Sequence, residues 1–148
     1  NAANPYLRFE PIAVGRPIEL SKKSITPLPA NHVVPAVGYH IDSGKASLVF
    51  TGDTTSNDEL WPLVNAIPNL KYLIIETAFP NKDAKLAELS KHLCASMLSK
   101  ELAKLEKNPE IYVTHLKPGE IELTMQEIES WAGRYRPRLL QNNQVFDF

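Results

Sequence analysis

Short apolar runs separated by polar breaks divide the chain into predicted strands and helices. The runs at 46–50, 70–76 and 111–114 are nearly continuous and predict buried strands, because strands covered on both faces need few polar positions. Residues 36–41 pair with 46–50 in a predicted hairpin that turns at 42–45. Other extended segments are predicted at 6–12, 18–20, 25–30 and, as a last edge strand, 144–148.

Four other stretches carry apolar residues at every third or fourth position, which predicts helices with one buried face. These stretches are 58–67, 81–89, 93–105 and 122–131. Gly38 lies inside a predicted strand, which indicates a close approach of another backbone. Helices that alternate with strands indicate an α/β fold.

Composition narrows the class of protein without identifying it. The chain of 148 residues has the length of one domain, with 43% apolar and 22% charged residues. A net charge of −1 and a pI near 6.5 count against a protein that binds nucleic acid mainly through phosphates. The single cysteine, Cys94, excludes an internal disulfide and is interpreted as a structural thiol. No apolar run approaches the roughly 20 residues of a membrane span.

Three predicted loops or strand ends carry residues that bind metals. Asp53 follows Gly52 at the end of the run 46–50, His32 stands in the loop before 36–41, and His115 follows 111–114. We therefore expect a His/Asp/His cluster at one sheet edge, a set that suits zinc, while carboxylate-rich variants suit manganese or iron. On local sequence alone, Asp53 or Thr55 has another role available, which is to cap the following helix.

Two further polar residues stand at predicted element ends. Glu76 ends the strand 70–76 and either orients a ligand histidine or serves as a helix cap or surface carboxylate. His92 precedes the helix 93–105, where the helix dipole favours an anion such as phosphate, although simple solvent exposure is the alternative. His40 points away from the face of Tyr39 and is interpreted as structural. Arg134, Arg136 and Arg138 are predicted to be a solvated surface.

Taken in order, these motifs resemble those of a known fold superfamily. The segments are His32-x-x-Pro35-x-x-Gly38-Tyr39, Phe50-Thr51-Gly52-Asp53-Thr54, Ile75-Glu76-Thr77-Ala78-Phe79 and Thr114-His115. They are similar to the later motifs of the metallo-β-lactamase fold. The stretch from Glu88 to Leu102, with His92-Leu93 and Glu101-Leu102, resembles that of class II 3′,5′-cyclic-nucleotide phosphodiesterases.

The resemblance implies an αββα sandwich with a mixed sheet and flanking helices, of which residues 1–148 would be the C-terminal half. The superfamily's first metal motif, His-x-His-x-Asp-His, does not occur in the sequence. A missing N-terminal half is therefore expected to supply the other ligands. Two divalent ions are implied, Zn²⁺ first, with Mn²⁺ or Fe as alternatives. The cytoplasm is the expected compartment, with the periplasm as the alternative.

By resemblance, His32, Asp53 and His115 are the metal ligands, and Asp53 bridges the two ions. His92 and Asp53 are the implied catalytic residues, with His92 donating a proton to the leaving 3′-oxygen or gripping the phosphate. The implied reaction is hydrolysis of a cyclic nucleotide such as 3′,5′-cyclic AMP to the 5′-monophosphate. The expected binding partner is this small molecule, and binding to a membrane or to nucleic acid is not expected.

Two alternatives remain open at this point. A tRNA 3′-processing endonuclease (ribonuclease Z) has similar motifs, but the short spacing from His32 to Asp53 and the absence of Ser-Thr after His92 count against it. The other alternative is a non-catalytic fragment that forms a homodimer through an uncovered sheet face.

Overall fold

The computed structural model describes residues 6–148, and the strands in this range form one mixed sheet. In this part of the chain the sheet has seven strands, and their spatial order follows their order in the sequence. The strands are β1 (Ile18–Leu20), β2 (Lys23–Pro29), β3 (Val37–Asp42), β4 (Ser47–Phe50), β5 (Leu70–Glu76), β6 (Glu110–Thr114) and β7 (Arg138–Leu139).

The pairing mode changes once across the sheet, from antiparallel to parallel at β4. β1 to β4 pair antiparallel through short connections, whereas β4, β5, β6 and β7 pair parallel. Parallel neighbours need crossover connections, and helices supply them. The helices are α1 (Leu60–Asn65), α2 (Ala84–Ser90), α3 (Ala95–Leu102) and α4 (Ile121–Ala132), with 3-10 turns at Asn81–Asp83 and Gly133–Tyr135. The predicted α/β fold with a mixed sheet and flanking helices is confirmed.

The main hydrophobic core joins one face of the sheet to three helices. Leu73 and Ile75 of β5 pack in one cluster with Trp61 of α1, Leu98 of α3 and Ile128 of α4. Because side chains alternate along a strand, Tyr72 and Ile74 belong to a second cluster on the opposite face. The sheet thus holds two apolar faces, as the continuous run 70–76 predicted.

The predicted strands at the two ends of the sequence are wrong. Residues 6–12 form no strand, and Tyr6, Leu7 and Phe9 are exposed. Alternating apolar residues form a strand only when a partner and a covering layer are present, and within residues 6–148 this segment has neither. At the other end, 144–148 does not pair. Instead, Phe146 and Phe148 pack edge-on against Tyr72, with ring centroids 4.9 and 6.1 Å apart.

Element boundaries also differ from prediction. The helix predicted at 58–67 covers 60–65, the one at 93–105 covers 95–102, and the stretch 81–89 begins as a 3-10 turn. Arg138, predicted as a solvated loop residue, lies in β7, where its guanidinium bonds Glu110 at 3.2 Å and lies over the Tyr112 ring.

Two glycines allow β3 to lie against the loop that follows β4. A Cβ atom on Gly38 would lie 2.7 Å from the carbonyl oxygens of Phe50 and Thr51. Gly52 has a φ of +64°, and a Cβ there would lie 2.6 Å from the carbonyl oxygen of Val37. The predicted close approach at Gly38 is confirmed, and together with the positive φ of Gly52 it fixes the backbone next to Asp53.

Candidate metal centre

The strand ends of β4, β5 and β6 meet at one edge of the sheet. Parallel pairing continues past the strands, since the Thr51 N–H donates to the Ile74 carbonyl and the Thr77 N–H donates to the Thr114 carbonyl, both at 3.0 Å. The residues that directly follow these ends therefore lie close together. This is the edge at which open α/β sheets bind ligands.

Asp53, His92 and His115 come together at this edge. One donor atom of each lies within 4.8 Å of the others, and the Asp53 Oδ1 is 3.5 Å from the His115 Nδ1. Asp53 and His115 are partly exposed, while His92 is buried. One carboxylate and two imidazoles form a donor set that fits Zn²⁺ and also non-haem Fe²⁺. These three residues therefore form a candidate site for a divalent metal ion.

His115 turns into the site through an unusual backbone conformation. Its φ of +68° lies in the left-handed region, which non-glycine residues seldom adopt. The following residues return toward the loop after β5, where the Lys117 N–H donates to the Ala78 carbonyl at 3.1 Å. Such strain persists only where the surroundings fix it, and it is frequent at functional sites.

The Glu76 carboxylate, completely buried, holds His92. Its Oε1 is 2.7 Å from the His92 Nδ1 and accepts the Thr54 N–H at 3.1 Å. Its Oε2 accepts the N–H groups of Ala78 at 3.1 Å and Leu93 at 3.3 Å. With Nδ1 occupied, the other ring nitrogen of His92 is the one available to the cluster. The interpretation of Glu76 as a surface carboxylate or helix cap is wrong, since it orients the histidine.

Burial shifts the pKa values of both members of this pair. Desolvation raises the pKa of Glu76 to about 7, although the backbone N–H groups of Leu93 and Thr54 act in the opposite direction. Desolvation and the neighbouring charges of His32 and Lys117 lower the pKa of His92, and Asp53 opposes this shift. The imidazole of His92 is therefore favoured in its neutral form, the form that binds metals.

His32 lies beside this group through its contact with His92. The two ring centroids are 4.9 Å apart, and the His32 Nδ1 is 3.2 Å from the Lys91 carbonyl oxygen. The ring of His115 stacks on His92 at the same centroid distance. The three predicted histidines thus form one row with His92 in the middle. The three-residue donor group contains His92 and not His32, and the assignment of His32 as a ligand stays a prediction.

The alternative local role for Asp53 and Thr55 is wrong. Helix α1 has Glu59 as its N-cap residue and no capping hydrogen bond from a side chain. His40 has a structural partner, the Ser47 hydroxyl at 2.9 Å from its Nε2, in line with the predicted structural role. Cys94 is fully buried at the start of α3.

Sequence reasoning missed the residues that hold the ligand loops together. The Asn31 N–H donates to the Thr54 hydroxyl at 2.9 Å, and the Thr55 N–H donates to the Asn31 carbonyl at 3.0 Å. The buried Glu101 accepts the Asn57 N–H at 3.2 Å and the Trp61 indole N–H at 2.7 Å. A glutamate between buried leucines of a helix was the available signal. The Asn31 bonds fix the His32 loop against the Asp53 loop, and the Glu101 bonds hold the segment 57–61 against α3.

No protein-family model matches the chain, and no curated protein matches it. Three solved structures resemble it in fold. The metallo-β-lactamase fold protein YhfI from Bacillus subtilis shares 19% identity at a TM-score of 0.75, over 92% of this chain and 54% of that chain. Unliganded yeast PDE1 shares 17% identity at a TM-score of 0.71, over 88% of this chain and 47% of that chain. The short form of human tRNase Z shares 15% identity at a TM-score of 0.64, over 88% of this chain and 45% of that chain.

The described chain therefore has the metallo-β-lactamase fold, as its motifs predicted. It spans about half the length of these three proteins. Among residues 6–148, no helix is long and apolar enough to cross a membrane.

Proposed function

We propose that the protein containing this chain is a metal-dependent phosphodiester hydrolase that converts a 3′,5′-cyclic nucleotide, most simply cyclic AMP, to the 5′-nucleotide. The observation that carries this proposal is the convergence of Asp53, His92 and His115 within 4.8 Å at the edge where β4, β5 and β6 end. Further support comes from the stretch Glu88 to Leu102, which resembles that of class II 3′,5′-cyclic-nucleotide phosphodiesterases, and yeast PDE1 is among the structures of similar fold.

Asp53 and His115 are the residues that would hold a divalent ion. His32 would hold an ion together with ligands that lie outside this chain. Asp53 supplies the carboxylate of the described donor group, and the resemblance implies that it would bridge two ions. Divalent ions in such a site supply positive charge that offsets the charge of a phosphodiester, and they make water more acidic. Imidazole and carboxylate ligands suit Zn²⁺, with Mn²⁺ or Fe as alternatives.

His92 is the residue proposed to manage the proton of the leaving 3′-oxygen. Glu76 accepts a hydrogen bond at the His92 Nδ1, which fixes the ring and leaves its other nitrogen free. A leaving alkoxide needs a proton, which His92 can donate from Nε2 only when both ring nitrogens are protonated, and the ring is then left neutral with its Nδ1–H on Glu76. Because Glu76 lies within the protein and bonds three backbone N–H groups, it cannot easily turn away from His92.

A ribonuclease Z-like endonuclease is the second candidate, supported by the structural likeness to human tRNase Z. That activity requires a surface that binds RNA phosphates, whereas the sequence has a net charge of −1 and a pI near 6.5. A non-catalytic homodimer is the third, and it finds no support at Tyr72 and Tyr112, because Phe146 and Phe148 cover that part of the sheet face. Both rank below the cyclic-nucleotide reading.

The deciding experiment is hydrolysis of 3′,5′-cyclic AMP by the complete protein loaded with Zn²⁺ or Mn²⁺, with products separated by chromatography. We expect 5′-AMP to form, and chelation to abolish its formation. Hydrolysis of pre-tRNA or of a generic diester, with cyclic AMP left intact, would keep a hydrolase and discard the cyclic-nucleotide substrate.

Replacing His92 with alanine tests its assigned role in the same protein. We expect turnover to fall about a hundredfold or more, the usual contribution of a general acid, while metal content is unchanged. Metal content is measured by elemental analysis after gel filtration. Loss of metal in His92→Ala would show that His92 is a ligand, which its place in the donor group also permits.

A further inference from the structure

Lys117 extends from the loop that carries His115 to the wall of the metal centre. Its ammonium lies 5.2 Å from the centroid of the Phe79 ring, and that ring makes an edge contact with His92 at 6.0 Å between centroids. The Phe79 N–H donates to the Leu93 carbonyl, and the Lys117 N–H donates to the Ala78 carbonyl. These bonds hold the backbone of both residues in place. The backbone of Lys117 is therefore held in place beside the row of three histidines.

Within residues 6–148, Lys117 has no carboxylate within ion-pair distance. Two lysines elsewhere in the fold do form ion pairs, Lys82 with Glu120 at 2.8 Å and Lys104 with Glu101 at 2.6 Å. Lys117 is nevertheless half-buried rather than extended into solvent. The Phe79 ring beside it can stabilise an ammonium by cation–π attraction but does not neutralise its charge.

A positive charge in this place opposes the binding of a metal ion. Like charges repel in partly desolvated protein, and the Lys117 ammonium lies over the Phe79 ring, which itself contacts His92. The balance changes when an anion joins the site, because the anion attracts the metal ion and the ammonium together. A substrate that carries a phosphate is such an anion, and a lysine is a point-charge donor suited to it.

We propose that Lys117 binds a non-bridging phosphate oxygen of the substrate and, with the Phe79 ring as its support, makes the site selective for anionic substrates. Lys117 is thus a positioning and specificity residue, and it takes no part in proton transfer. This inference rests on the proposed phosphodiester chemistry. The same lysine would bind inorganic phosphate, which allows a test that does not depend on the identity of the substrate.

The test compares the metal-loaded complete protein with its Lys117→Met and Lys117→Arg variants. The dissociation constant of inorganic phosphate is measured by isothermal titration calorimetry. Methionine keeps the apolar stem over Phe79 and removes the charge, so we expect phosphate to bind about tenfold more weakly. Arginine keeps the charge, so Lys117→Arg should bind within about threefold of the parent. Lys100→Met, at an exposed position of α3, is the matched control and should not change.

The same variants separate this inference from the proposed function. With cyclic AMP, we expect Lys117→Met to raise KM and the inhibition constant of phosphate more than it lowers kcat. If the parent hydrolyses no cyclic AMP but Lys117→Met still weakens phosphate binding, the function fails and the anion site stands. Equal phosphate affinity in parent and Lys117→Met, with equal metal content, overturns the anion site. Loss of metal from Lys117→Met also overturns it, because the lysine would then be structural.

Discussion

Replacing Asp53 with asparagine is expected to remove divalent-metal binding and, with it, all hydrolysis by the complete protein. Asp53 is the carboxylate of the donor group and lies next to Gly52, whose backbone conformation fixes it at the sheet edge. Asparagine has nearly the same shape but carries no charge, so the substitution changes the ligand and keeps the packing. We expect affinity for Zn²⁺ to fall at least about a hundredfold, since even changes outside the ligand set cost tenfold to a hundredfold.

The measurement is competition for Zn²⁺ against a chromophoric chelator, with the folded state checked by circular dichroism. Asp58→Asn is the matched control, because Asp58 is five residues away, 91% exposed, and bonds only the Lys104 ammonium in the described chain. Unchanged stoichiometry and affinity in Asp53→Asn would show that Asp53 is not a ligand. A loss in both variants would indicate that net charge, rather than ligation, controls binding.

The part of the fold that sequence predicts best is the part with both local and tertiary support. The apolar run 70–76 could only be a buried central strand, and β5 is paired on both sides by β4 and β6. The alternating segment 6–12 had the same local signal as an edge strand, but within residues 6–148 no partner pairs with it. Periodicity reports which face of a segment is apolar and does not report whether anything covers that face.

The candidate site likewise has features that the sequence predicts and features that only the tertiary structure shows. Strand ends that carry His or Asp were visible in the sequence because each stands at the boundary of an apolar run. The central place of His92, between His32 and His115, was not visible, because it follows from how the loop before α3 folds back over Glu76. Lys117 carries no local signal, since its significance comes from the Phe79 ring beneath it.

The buried Glu76 shows why sequence reasoning left two readings open. A glutamate at a strand end is as compatible with the surface as with the interior, and only tertiary structure decides. The structure places four donors around its carboxylate, from Thr54, Ala78, Leu93 and His92. Burial and these donors act in opposite directions on its ionisation, so the pH dependence of stability reports their balance.

Replacing Glu76 with glutamine is expected to remove a pH-dependent component of stability from the metal-free protein. The pKa of Glu76 rises from 4.5 to about 7 in the fold, so the folded state holds a proton that the unfolded state has lost. Its contribution is therefore fully present below pH 4.5 and is lost as the pH rises through 7. The total loss across this window is about 3 kcal/mol of unfolding free energy. Glutamine does not titrate and should lack this slope.

Urea unfolding of parent and Glu76→Gln between pH 4.5 and 8, with a chelator present, measures the difference. The depressed pKa of His92 acts in the other direction, because stability falls as the pH drops below its ordinary value. Because His92 contacts Glu76 directly, the comparison is also made in a His92→Ala background, which removes its contribution. Glu88→Gln, at an exposed position of α2, controls for the loss of one carboxylate. Parallel profiles for parent and Glu76→Gln would mean that the four donors outweigh burial and keep Glu76 ionised, ready to orient His92 throughout this range.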